Sequence, residues 1–135
     1  MKLITQEAPM GCAIACAAAL ANLSYKQMRR YFNNGKIKEQ ASGFYNRDIV
    51  AALRMLKIEA RACSIKKWSN KKIKVGSIVF IGRSRKYPMG HYILKTRRGW
   101  MNPWKNYPII NPAKAGFQKM PSGKIRWIIT TEQHV

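Results

Sequence analysis

At 135 residues, with 47% hydrophobic and 10% aromatic content, the chain is long enough for one folded core and too apolar for global disorder. Against 26 Lys and Arg stand 5 Asp and Glu, a net charge of +21 whose field attracts polyanions. Three cysteines exclude a disulfide framework and point to a reducing, cytoplasmic setting. The longest uncharged run, Ala8 to Ser24, is too short and alanine-rich for a transmembrane segment, and Gln6, Glu7, Pro9 and Gly11 interrupt it as a signal peptide.

The first element follows the stretch QEAPMGC. From Cys12 to Asn22, alanines with Ile14 and Leu20 predict a helix entered through Pro9 and Gly11. Ser24 caps a second helix, YKQMRRYF, with Tyr25, Met28 and Phe32 at helical spacing, and NNGK ends it with turn chemistry. A third helix covers NRDIVAALRMLK, with Ile49, Leu53 and Leu56 on one face and Arg47, Arg54 and Lys57 on another. The texture then turns to β. KIEARACSI, VGSIVFIG, GHYILKT and KIRWIITTE read as strands, with RRGW a tight turn after the third. Helices first and an antiparallel sheet second predict a single α+β domain over residues 1–135, a helical layer packed on a sheet.

Cys12 stands where a helix begins, and exposed N–H groups and the helix dipole favour a thiolate there. The expectation is a thiol pKa below its ordinary value. A thiol nucleophile also needs a base. His91 opens the strand HYILK after a glycine, whereas His134 is penultimate and frayed. An imidazole base in turn needs a partner on its other nitrogen. No acid occurs between Glu59 and Glu132, so Asn102, in WMNPW, is the candidate. A hairpin centred near Arg98 and Gly99 sets positions 91 and 102 close to opposite each other. The Gln6 amide and the Cys12 backbone N–H are candidate oxyanion donors. Each residue also has a structural reading: Cys12 and Cys16 as small buried hydrophobes on one helix, Asn102 as a turn residue before proline.

Gln6, a five-residue spacer, Cys12, and Cys16 one helical turn later resemble the start of the papain-like cysteine peptidases of the C39 type. GHYIL and NP resemble that family's Gly-His-aromatic-aliphatic strand and its Asp-Pro, and NRDIVAALRMLKIEARA resembles the segment between. The resemblance implies a papain-like fold and a cysteine peptidase acting on a peptide or protein, with no cofactor and no metal. It implies Cys12 as nucleophile, His91 as general base, Asn102 as the orienting residue and Gln6 at the oxyanion hole. Two positions depart from the family: Asn102 stands for its usual aspartate, and Ala13 for the glycine that commonly follows the cysteine.

The charge is not a feature of that family. Lys66, Lys67, Lys71, Lys72, Arg97 and Arg98 are candidate contacts for a nucleic acid or an acidic protein partner. The alternative function is therefore a papain-fold ribonuclease of the toxin type, or a basic nucleic-acid-binding domain on the same fold.

Overall fold

The computed structural model describes residues 2–69, 72–109 and 112–131. The alanine run forms α1, Cys12–Ala21, with every residue from Cys12 to Leu20 buried. A helix that is apolar all round belongs inside a core. Asn22, in the left-handed conformation, closes it, and Leu23 N–H returns to Ala18 O at 2.9 Å. Ser24 then opens α2, Tyr25–Arg29, through a capping box with Gln27.

Two helix boundaries differ from the sequence reading. α2 stops at Arg29, three residues before the expected end at Phe32, and NNGK leads instead, after the left-handed Asn34, into one further turn, α3, Gly35–Lys38. The third periodic segment becomes α4, Asn46–Met55, two residues shorter than expected. Lys57 adopts φ 61°, and Ile58 N–H bonds Leu53 O at 3.0 Å, so the helix terminates on its own carbonyls.

Six antiparallel strands follow: β1 (Ala60–Ser64), β2 (Ile78–Ile81), β3 (His91–Thr96), β4 (Gly99–Asn102), β5 (Gly116–Gln118) and β6 (Ile125–Thr131). They lie in the order β1-β6-β2-β3-β4-β5. The three residues of β5 are all half-buried, so no alternating pattern marks it in the sequence. One sheet face, with Ile78, Tyr92, Leu94, Met101 and Ile129, packs on α1, α2 and α4. The other face, with Val79, Ile81, Ile93 and Trp100, is covered by Trp68, Ile73, Tyr87 and Tyr107. The expected helical layer on an antiparallel sheet is thus the observed α+β architecture. Among the described residues no helix is long and apolar enough to cross a membrane.

A buried polar cluster braces the entry to α1. Glu39 accepts from Tyr25 Oη at 2.6 Å and from Arg29 at 2.9 Å, while its backbone carbonyl accepts from Met10 N–H at 2.8 Å. Gly11 lies so close to Tyr25 that a Cβ there would collide with the phenol oxygen. Removing the carboxylate would strand a buried hydroxyl and a half-buried guanidinium. Glu39→Ala should therefore lose on the order of 2–4 kcal/mol in urea unfolding, more than Arg29→Ala.

Candidate active site

Three elements converge on one end of the sheet. The N-terminus of α1 carries Cys12, and its N-cap residue, Gly11, offers no side chain to the free N–H groups of the first turn. The Cys12 sulfur therefore meets three backbone donors: its own N–H, that of Ala13, and that of Tyr92 in β3. Tyr92 follows His91, so the strand segment whose backbone meets the thiol is the one that carries the imidazole. Gly90, at φ 79°, makes the turn into His91, passing so close to the Phe80 ring that a Cβ would not fit.

His91 is 4% exposed and Asn102 is 1% exposed. Their side chains meet, His91 Nε2 to Asn102 Oδ1, at 2.7 Å. The β3–β4 ladder pairs Thr96 with Gly99 and Leu94 with Met101, so the hairpin is centred at Arg97–Arg98, one residue from the expected position. Its next step sets Asn102 across from Ile93 rather than His91. The contact is a diagonal one on the same sheet face, within reach of an Asn amide and a ring. Asn102 Oδ1 also accepts Trp104 N–H at 3.0 Å, and its Nδ2 donates to Tyr87 Oη at 3.3 Å and to Gln118 Oε1 at 3.1 Å. The Tyr87 ring stacks on His91, centroids 4.3 Å apart and 10° from parallel.

The electrostatics reverse one expectation. Burial pushes the Cys12 thiol up to about 11, against the pull of the three N–H groups, instead of lowering it. Burial lowers His91 to about 4, opposed by the bond to Asn102 and aided by the charge of Lys86. Sulfur and ring are therefore both neutral near pH 7, not a thiolate–imidazolium pair. The helix N-terminus is real but is outweighed by desolvation. The bond to Asn102 occupies His91 Nε2 and leaves Nδ1.

Gln6 also differs from its expected orientation. Its backbone N–H bonds Pro103 O at 3.3 Å, which places it beside Asn102. Its side-chain nitrogen, however, donates to Ala8 O at 2.9 Å and Pro9 O at 3.1 Å, and Oε1 is buried without a partner. Two inward-facing carbonyls of the short loop before α1 take the amide hydrogens, so Gln6 here is a strut of that loop.

Beside the junction lies a groove of about 700 Å³. Phe80, Tyr92 and Trp127 floor it, and Met89 and Phe44 stand at its walls. Arg47, Arg54, Arg61 and Arg83 line it as well, with no acidic residue among its lining. The polyanion candidates, by contrast, do not form one patch. Lys66 and Lys67 follow Ile65, which bonds Arg126 O near the His91 end of the sheet. Lys72 lies near Thr131, at the end where Arg97 and Arg98 make the β3–β4 turn. Arg98 there lies over the Phe117 ring. The two groups are a strand length apart, roughly 20 Å. Lys71 falls outside the described residues. Tyr87, Gln118 and the groove arginines went unread in the sequence: no motif surrounds them, and β5 has no periodic signal.

Over 96% of this chain and 96% of the other, the structure matches the peptidase domain of Streptococcus ComA, described as a bi-functional ABC transporter involved in a quorum sensing pathway. The TM-score is 0.57 and the identity 20%. The chain has the fold of that peptidase domain. No family model matches the chain, and no curated protein does. At that identity the likeness speaks for the papain-like fold, the architecture the sequence motifs implied, and for no residue's role.

Desolvation of Cys12 has a direct readout. Alkylation of the native protein by iodoacetamide, mapped by mass spectrometry, should give a Cys12 rate that still rises between pH 9 and 10, where an ordinary thiol has largely ionised. A Cys12 rate that levels off by pH 7 would mean the thiolate is stabilised after all.

Proposed function

We propose that the protein is a cysteine peptidase in which Cys12 is the nucleophile, His91 the general base and Asn102 the residue that orients it. The observation that carries this reading is the 2.7 Å bond between His91 Nε2 and Asn102 Oδ1, buried at the junction where β3 meets the N-terminus that bears Cys12. That bond occupies one ring nitrogen and directs the other to proton transfer. The fold shared with a peptidase domain supports the same reaction class.

The reaction follows from the neutral pair. As Cys12 Sγ attacks the scissile carbonyl carbon, its proton passes to His91 Nδ1 and an oxyanion forms. The C–N bond then breaks, His91 Nδ1–H protonates the departing amine, and a thioester remains on Cys12. Water attacks the thioester, again giving its proton to His91, and the S–C bond breaks to release the carboxylic acid and restore the thiol. The backbone N–H of Cys12, uncapped at the start of α1, supplies one oxyanion donor. Gln6 supplies a second by exchanging one of its two loop carbonyls for the developing charge.

The groove assigns a substrate class. An aromatic lining and four arginines suit a peptide that combines apolar and acidic side chains. Tyr92 links the groove to the thiol, since its ring forms part of the floor and its N–H meets the Cys12 sulfur.

Cys12→Ala should abolish peptide hydrolysis, a loss of at least about a thousandfold in kcat/KM, with an unchanged melting temperature because alanine suits α1. Full turnover by that variant on any peptide would overturn the mechanism. In the groove, Arg47→Glu with Arg83→Glu should raise KM about tenfold or more for acidic peptides and leave kcat unaltered. The same KM change for neutral and acidic peptides would remove the charge argument.

A further inference from the structure

The departure from aspartate at position 102 has a structural cause, read from a line of hydrogen bonds beginning at the backbone. Gln118 Nε2 donates to Met120 O at 2.9 Å. A carbonyl oxygen can only accept, so the amide nitrogen of Gln118 must face it, and Oε1 must face the other way. That Oε1 takes Asn102 Nδ2 at 3.1 Å. The atom of residue 102 that faces Gln118 is thereby required to be a donor. At the opposite side of the same side chain, Trp104 N–H, which can only donate, approaches at 3.0 Å and requires an acceptor. Asparagine in one orientation meets both demands, with Nδ2 to Gln118 and Oδ1 to Trp104. In that orientation Oδ1 also faces His91 Nε2 at 2.7 Å. Because Oδ1 is an acceptor, Nε2 must carry the ring proton, and in a neutral imidazole Nδ1 is then the bare nitrogen.

An aspartate would satisfy His91 and Trp104 with one oxygen and set the other against Gln118 Oε1 with no hydrogen between them. Turning the Gln118 amide over transfers the same oxygen–oxygen contact to Met120 O. Tyr87 Oη, which accepts from Nδ2 at 3.3 Å, could donate to an aspartate instead, so Tyr87 tolerates either residue and Gln118 does not.

We propose that Gln118 is a positioning residue: together with Trp104 N–H it fixes the Asn102 amide, and through it the His91 tautomer, and it alone of the two makes asparagine rather than aspartate the residue this site accepts. The proposal rests on the triad reading for its catalytic meaning, and its spectroscopic part stands apart from activity. The test uses the full chain, uniformly labelled with ¹⁵N, and ring ¹H–¹⁵N correlation spectra near pH 7 with His91 signals assigned through His91→Gln. The wild type should show a single tautomer protonated at Nε2. Gln118→Leu should introduce a second tautomer and lower kcat about five- to tenfold with KM unchanged. Asn102→Asp should cost at least about tenfold in kcat with Gln118 present and within about threefold in the Gln118→Leu background.

If Gln118→Leu lowers the melting temperature while tautomer and kcat stay as in wild type, Gln118 is merely a tie between β4 and β5. Equal tolerance of Asn102→Asp in both backgrounds also overturns the proposal. A ring spectrum that responds to Gln118 in a chain whose Cys12→Ala variant still cuts peptides would sink the triad reading and leave the positioning role standing.

Discussion

The arrangement depends on the contact between the first turn of α1 and the start of β3. Alanines at positions 13, 15, 17, 18 and 19 let the helix bury all its sides and lie close to the sheet. Larger side chains there would hold the two backbones apart, since cores are packed without spare volume. At this distance the Tyr92 N–H reaches the Cys12 sulfur, and the neighbouring His91 stands at the same junction. The Tyr25–Glu39–Arg29 cluster holds the loop that delivers Cys12, and Gln6 holds the same loop from within through Ala8 and Pro9.

The same burial sets the protonation states. A thiol and an imidazole without a counter-ion, removed from water, both stay neutral because a charge on either would be poorly solvated. An acid-free surrounding reinforces this for His91: its orienting partner is an amide, which supplies a hydrogen-bond acceptor without a negative charge. The ring keeps its orientation and gains little basicity.

The large positive charge is divided by the fold. Basic residues close in the chain, Lys66 and Lys67 on one side and Lys72 on the other, lie toward opposite ends of the sheet, and Ile65, Trp68 and Ile73 pack on one of its faces. Arginines distant in sequence, Arg47 and Arg54 on α4, Arg61 on β1 and Arg83 after β2, line a single groove instead. Proximity along the chain is a poor guide to a charged surface wherever strands reverse direction.

Much of this protein follows from local chemistry alone. The alanine run, the Ser24 cap, the α4 periodicity and four of the six described strands are dictated by propensities and patterns that act over a few residues, and the places of His91 and Asn102 in the chain pointed to the pair that the fold joins. Features set by contacts between distant segments were not legible in the sequence. The length of α4 is decided by the left-handed Lys57, β5 by its pairing to β4, and the hairpin register by the Thr96–Gly99 closure. The orientation of Gln6 is decided by two carbonyls that turn inward, and the state of Cys12 by how deeply the packed α1–β3 junction excludes water. A helix terminus can be read from the sequence because its dipole is local; the desolvation that outweighs it cannot, because burial belongs to the whole fold.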